Sequence, residues 1–341
     1  MGFRSMFPRS YSAEEGWQVY IIKGGPGTGK STLMRTVCSM AEQSGIFAQR
    51  IHCSSDPDSL DAVILPTLRR AIYDGTAPHV MEPALPGACE CLVDLGQGWD
   101  SGILHSRREE IARLSSQCSA LHRRATQMLA CADVFRERMS LPALEAADRD
   151  KILRTARRLC RRFGLKARSS RGSVTERLAC AVTPKGILNV SEEYISSFGR
   201  VVPVYDGCSA LSGLLLSALS GMLTDMGHSV ILCPCSQCAD RPEHLLLPEE
   251  DICFTTRTPI HGLDTRTDSD ERAVHTERFL PDRPAPQVCD RRELLRFTDL
   301  AAGCMREAKA IHDDLESCYR DAMDFDRVDA IARRTAELIL G

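Results

Sequence analysis

Gly24-Gly25-Pro26-Gly27-Thr28-Gly29-Lys30-Ser31 has the residue types and spacing to grip a chain of phosphates. The run fits G-x-x-x-x-G-K-[ST], the Walker A pattern. Glycines let the backbone turn tightly and approach a ligand without a Cβ in the way. Successive N–H groups can then converge on an anion, backed by the positive end of a helix. Lys30 has the length to reach the β- and γ-phosphates, and the Ser31 hydroxyl can ligate Mg²⁺. The expected binding set is Gly24, Gly25, Pro26, Gly27, Thr28, Gly29, Lys30, Ser31 and Thr32. Lys30 is one of six lysines in a chain rich in arginine, which fits a selected role.

Such a site also needs a carboxylate at a strand end to hold the metal's water shell. Two strings have that form, Ala71-Ile72-Tyr73-Asp74 and Cys91-Leu92-Val93-Asp94. Asp74 is the preferred magnesium partner of Ser31; a turn at Asp74-Gly75 is the structural alternative. The segment from His52 to Asp61 follows the expected strand Ile46–Ile51, at the edge of an α/β sheet where ligands usually sit. Within it Asp56 could orient water or a substrate hydroxyl. Asp58 reads equally well as a helix N-cap, and His52 and His79 are weaker candidates. The expected catalytic residues are therefore Lys30, Asp74 and Asp56.

The elements that must carry these residues are visible as hydrophobic patterns. Val19–Ile22 is a short apolar strand before the loop. Leu33, Met34, Val37, Met40 and Ala41 recur at helical spacing after it, and Gly45 is a plausible C-cap. Compared with itself at an offset of 182, the chain matches without gaps from position 25 to 79, with eleven identities. Among them are Gly25/Gly207, Gly45/Gly227, Cys53/Cys235 and Leu65-Pro66/Leu247-Pro248. Background composition would give roughly three. The sequence thus reads as a tandem duplication. In the second copy Ser212 stands for Lys30, Gly213 for Ser31, Leu211 for Gly29 and Ser209 for Gly27. Thr256 stands for Asp74 and Cys238 for Asp56, so one live and one dead nucleotide site are expected.

Each copy is followed by apolar positions alternating three and four apart, the seam of a coiled coil. The first runs from Ile111 to Met139 and ends at Pro142; a second helix carries Ile152, Ala156, Leu159 and Phe163. The later pair runs from Leu294 to Cys318 and then Val328, Ile331, Thr335 and Leu338. These predict a long antiparallel helical hairpin after each copy, able to pack on the other, dimerise or act as a lid. The expected segments are 1–105, 106–165, 174–290 and 291–341. Cys233, Cys235 and Cys238, with Cys253 or His244, are candidate zinc ligands; buried thiols fit better, because Cys233 falls inside an expected strand. Ten Lys or Arg between Arg149 and Arg171 read first as a solvated face, next as a surface for an acidic or nucleic-acid partner, and then as a phosphate-sensing or arginine-finger patch.

Composition narrows the class. The 341 residues are 43% hydrophobic and 26% charged, with a formal net charge of −3. That excludes disorder and argues against a nucleic-acid partner, which usually meets a basic chain. The most apolar run, Leu211–Leu223, is too short and too often broken by serine to span a membrane. MGFRSMFPRS has no apolar h-region, so the expected location is cytoplasmic, where the 16 cysteines stay reduced.

The strings IKGGPGTGKSTLMR, HCSSDPDSLD, AIYDGTAPH and AVTPKG resemble a family of bacterial twin-module P-loop ATPase-like proteins, over nearly the whole chain. Its members carry a helical hairpin after each module and are described as ATP-binding or ATPase-like, with no settled substrate. The resemblance implies phosphate binding by Gly24–Thr32 and importance for Asp56, Asp58, Asp74 and His79. In that family the second module commonly keeps its own Walker A loop; Asp206–Gly213 departs from it, so one nucleotide per chain is expected.

Together these readings predict a three-layer α/β/α P-loop NTPase fold, duplicated, that binds ATP and Mg²⁺. No N-K-x-D guanine motif is present. Slow ATP hydrolysis coupled to a shape change is the leading expectation. The alternatives are a small-molecule kinase holding its acceptor with Ser54–Asp61, and a non-catalytic scaffold whose helices bind a protein partner or another copy.

Overall fold

Val19–Ile22 is apolar without a break because its strand, β1 (Gln18–Lys23), lies between two parallel neighbours and is buried on both faces. The computed structural model describes residues 11, 16–53, 55–56, 58–77, 80–177, 179–189, 195–208, 210–236, 238–258, 273–281 and 288–341. They are mixed α/β and divide into two compact units, 1–126 with 303–341, and 127–302. The expected segment 291–341 is thus shared between them, its larger part falling with the N-terminal residues.

In the first unit β1 leads through residues 24–29 into α1 (Lys30–Gln43). Leu33, Met34, Val37, Cys38 and Ala41 form its buried stripe, and Gly45 (φ 71°) turns the chain out of the helix. Then come β2 (Gln49–His52), β3 (Leu60–Leu65), β4 (Arg70–Asp74) and β5 (Glu90–Asp94). The strand order is β2-β3-β4-β1-β5. β4 and β5 run parallel to β1, while β3 is antiparallel to both β2 and β4. The parallel strands end together, so Asp74, Asp94 and the departing loop share one sheet edge.

After the short α2 (Ser101–Ser106), α3 (Arg108–Ala146) and α4 (Arg149–Arg162) follow. Pro142 does not end α3 as expected. It lies in the last turns, where a missing N–H costs a single helical hydrogen bond, and the helix continues to Ala146. The second unit then builds β6 (Val174–Glu176), the hairpin β7 (Cys180–Thr183) and β8 (Gly186–Asn189), β9 (Arg200–Tyr205) and α5 (Leu211–Asp225). It continues with β10 (Val230–Cys235), β11 (Cys238–Leu247), β12 (Ile252–Arg257) and β13 (Val274–His275). The last helices are α6 (Val288–Arg320) and α7 (Phe325–Leu340).

The second sheet is ordered β13-β9-β12-β11-β10-β6. Apart from β6, this is the order of the first sheet with the same parallel and antiparallel senses. The turns agree as well. Arg69 and Asp251 both take positive φ, at 52° and 56°, each after a short 3-10 turn opened by proline.

In the first unit the described residues show two layers and not the expected three. One sheet face carries α1 and α7, while the other is covered by Tyr11, Trp17 and Met81 rather than by helices. Nor do the long helices fold back on their successors. In the first unit Leu114 and Cys118 of α3 pack on Leu315 and Cys318 of α6. In the second, Ala132 packs on Leu294, and Phe135 stacks on Phe297 at 5.8 Å between ring centres. α4 lies on α5 and α7 on α1. The reason is area: the stripe of Ile152, Ala156 and Leu159 buries against a sheet-and-helix core, which covers more apolar surface than one helix can. The buried stripe of α7 is Val328, Ala332, Thr335, Ala336 and Ile339, one position round from the expected face, and Leu338 is exposed. Arg70 of β4 donates to the carbonyls of Leu338 and Ile339, capping that helix end. The ten-residue basic run is exposed on α4 and beyond it, with Arg168 paired to Glu249 and Glu250. Among the described residues no helix is long and apolar enough to cross a membrane.

Because Ile339 is fully buried in the core of the first unit, Ile339→Ala is expected to cost about 2–5 kcal/mol of stability. Urea unfolding followed by Tyr and Trp fluorescence measures it. A loss under 0.5 kcal/mol, the usual size for a surface site, would contradict the docking of α7.

Candidate functional site

The segment from Gly24 to Ser31 joins the end of β1 to the start of α1, and its glycines do different jobs. Gly27 and Gly29 take left-handed backbone angles, φ 66° and 89°, which cost an L side chain about 1–2 kcal/mol. A Cβ on Gly25 would stand 2.6 Å from the Tyr319 ring, and one on Gly27 would stand 2.8 Å from the Glu316 carbonyl oxygen. The loop is therefore shaped from both sides, by its own turns and by the packing of α6. Gly29 is the N-cap of α1 and supplies no side-chain acceptor to the first helical N–H groups.

Lys30 begins the helix. Its Nζ donates to the carbonyl of Gly25 at 2.7 Å and to that of Gly24 at 3.4 Å, and it lies 3.7 Å from Asp74 Oδ2. Asp74 ends β4 beside β1, which brings the two together. Its other oxygen accepts from the Thr76 N–H and hydroxyl, at 2.9 and 2.5 Å, and this fixes the carboxylate. The Ser31 hydroxyl accepts from Leu60 N–H at 3.0 Å, and Thr28 Oγ1 donates to Gly25 at 2.8 Å.

These groups form one wall of a cavity of about 890 Å³. Ser55, Asp56, Ser59 and Asp61 form another, Ser115, Cys118, Ser119 and His122 of α3 a third, and Lys309, His312, Glu316 and Tyr319 of α6 a fourth. Asp56 accepts from Ser59 Oγ at 2.9 Å and lies 3.6 Å from Lys309 Nζ. Asp58 does not cap a helix, because β3 begins two residues later; its carbonyl accepts from Arg35. Asp94 accepts from Gly96 N–H and does not line the cavity, and neither does His52. Ser54, Pro57, His79, Ser209 and His261 lie outside the described residues.

The α3 and α6 walls escape the motif reading. Their signal is polar residues recurring within the seams: Cys118 and His122 four apart, and Lys309, His312 and Glu316 three and four apart. They form an ionisable cluster. Hydrogen bonds from His122 and His312 pull the Cys118 thiol down to about 6, and bonds to Cys118 and Glu316 push His312 up to about 9. His312 Nε2 lies 3.5 Å from Glu316 Oε1. Cys118 Sγ also lies 3.7 Å from the Ala308 carbonyl, toward which the protonated thiol points.

In the second unit the corresponding helix start is closed. Asp206, 182 residues after Gly24, is buried, and its carboxylate accepts from the N–H groups of Cys208, Ala210 and Ser212 at 3.1, 2.9 and 2.7 Å. A side-chain carboxylate thus caps this helix start, whereas Gly29 brings no side chain to the start of α1. The candidate zinc set does not converge. Cys233 packs with Cys253 in an apolar cluster, whereas Cys235 and Cys238 line a separate small pocket. A double irregularity in the β10–β11 pairing at Pro234 separates them.

No protein-family model, curated protein or solved structure matches the chain.

The cluster on α3 and α6 generates a pH prediction. Alkylation of Cys118 by iodoacetamide, followed by peptide mass spectrometry, is expected to reach half its maximal rate near pH 6, not near the ordinary thiol value of about 8.5. The lowered value means the thiolate persists above pH 6 and is protonated as the pH falls through it. His312→Gln should move the midpoint upward. A midpoint above 8 in the unaltered chain would contradict the arrangement.

Proposed function

We propose that the first unit is a P-loop nucleotide-binding module that grips the triphosphate of ATP with Gly24–Thr32 and hydrolyses it slowly with Mg²⁺. One observation carries the reading. Lys30 and Asp74 meet at the uncapped start of α1, beneath a loop held open by two left-handed glycines, on the wall of a cavity with room for more than a phosphate. Uncapped helical N–H groups and a nearby ammonium are what a polyphosphate requires.

The residues present fit a magnesium nucleotide. Ser31 and Asp74 would hold the ion and its water, as a hydroxyl and a strand-end carboxylate do in this class of site. The ion supplies charge neutralisation on the phosphate oxygens. Lys30 would exchange the carbonyls of Gly24 and Gly25 for phosphate oxygens and stabilise charge on the γ-phosphate. Asp56, already held by Ser59, would orient the attacking water. The same Asp56, facing a broad cavity, favours as a second reading phosphoryl transfer to an acceptor hydroxyl. The scaffold reading, in which binding gates a partner surface on the long helices, needs no turnover.

We also infer that the two units arose by duplication. The shared strand order, the paired left-handed residues Arg69 and Asp251, and the eleven identities support it. On this reading Asp206 is the substitution that closed the second site to nucleotide, and one ATP binds per chain.

A thermal-shift series across nucleotides, with and without Mg²⁺, tests this, because stabilisation follows RT ln(1 + [L]/Kd). ATP with Mg²⁺ is expected to raise Tm. Lys30→Ala should weaken binding roughly 30-fold or more, from the about 2–5 kcal/mol cost of truncating a buried charge contact. Ser31→Ala and Asp74→Asn should weaken the Mg²⁺ dependence first. Phosphate release without an acceptor supports hydrolysis, consumption only with added metabolites supports a kinase, and binding without turnover supports a scaffold. An unchanged Tm with every nucleotide, or equal stabilisation in Lys30→Ala, would refute the module.

A further inference from the structure

The second unit has a pocket of its own, built from residues that stand 182 positions after the site residues of the first. Ser212 and Gly213 follow Lys30 and Ser31, Thr256 and Thr258 follow Asp74 and Thr76, and Cys235 and Cys238 follow Cys53 and Asp56. The groups suited to a magnesium ion, a hydroxyl and two carboxylates, are thus absent from these positions. In their place the pocket gains two guanidinium groups, Arg136 from α3 and Arg241 from β11. Side-chain cations thus stand here in place of the groups that would hold a metal, a lining suited to an anion bound without one.

Arg136 is the decisive residue. Its side chain is 9% exposed, and it lines this pocket with Nε and Nη1 both buried and, among the described residues, without a hydrogen-bond partner. Nη2 is paired with Asp133. Leaving two charged donors unmet in a low-dielectric interior is costly, and a ligand oxygen would relieve it. Arg241 shares the pocket; its Nη2 donates to Ser140 at 2.7 Å, and burial together with the neighbouring Arg136 lowers its affinity for its proton. Two cations brought side by side out of water call for a shared anion. Thr256 adds a buried hydroxyl, also without a partner. The carboxylate of Glu243 lines the same space and can accept a hydrogen bond from the O–H of a hydrogen-bearing oxyanion.

Size selects the ligand. The cavity is about 30 Å³, space for two or three water centres at about 10–15 Å³ each. A tetrahedral oxyanion fits that scale and a nucleotide does not. We propose that the second unit holds inorganic phosphate, as its hydrogen-bearing ion, between Arg136 and Arg241, without a metal. The site is independent of the loop at Gly24–Ser31, and Asp206 keeps the anion off the helix start itself.

The experiment uses the full chain carrying Lys30→Ala, so that the first unit cannot contribute. Inorganic phosphate is titrated by isothermal calorimetry in EDTA. One phosphate per chain is expected, with affinity unchanged by adding Mg²⁺. Arg136→Gln or Arg241→Gln in that background should weaken it about 30-fold or more. Thr256→Val, which keeps the side-chain shape, should weaken it about five- to tenfold and carries the test if an arginine variant fails to fold. Sulfate, with no O–H to donate to Glu243, should bind less tightly than phosphate. No heat of binding in the Lys30→Ala chain, binding that requires Mg²⁺, equal affinity in the folded arginine or threonine variants, or sulfate binding as tightly as phosphate would each overturn the proposal.

Discussion

The first N–H groups of an α-helix have no partner inside the helix, and something else must meet them. Both units place such a helix start after a central buried strand, and they answer the demand in opposite ways. In the first, Gly29 offers no side chain and the nearby groups are Lys30 and backbone carbonyls. In the second, the Asp206 carboxylate takes three N–H groups at once. A carboxylate aimed at a helix start is favourable on its own account, through the macrodipole and the hydrogen bonds together. A helix that has found such an anion within its own chain has lost the reason to recruit one. The difference between the two units is therefore a choice of whether the chain itself supplies a carboxylate to that backbone geometry.

That choice was legible because its determinants are local. A glycine-rich turn, a four-residue apolar strand and a helical stripe fall within about thirty consecutive residues. The strand end at Asp74 could be read for the same reason; Asp74 and Asp94 both accept from the N–H two residues on, and what separates them is that Asp74 lies beside Lys30 and lines the cavity. β9 and α5 lie where β1 and α1 fall when shifted by the offset of 182.

What the sequence concealed was long-range. An amphipathic stripe says that a helix must bury one face, not against what. Val328 to Ile339 could have packed along their preceding helix; that they meet α1 and β1 instead depends on the relative areas offered in three dimensions. The side chains of α3 and α6 escaped notice because a cysteine or a histidine in a heptad seam looks like a tolerated core position. Cys118 is such a position by burial, yet its neighbours His122 and His312 give it charge. Arg136 fell in the seam's polar margin and gave no sign that two of its nitrogens would end in a dry pocket. Three layers were expected by analogy with other α/β sheets, but here Tyr11, Trp17 and Met81 cover the second face with loop side chains.

The first unit is assembled from two stretches of chain, 1–126 and 303–341, with the whole of 127–302 between them. During synthesis the ribosome must therefore deliver the inserted stretch before it delivers the helix that seals the earlier core. Residues 1–126 hold all five strands of the first sheet but not the Val328–Ile339 stripe that completes their core. The glycine loop, whose shape leans on Tyr319 and Glu316, is among the last features of the nascent polypeptide to acquire its final form.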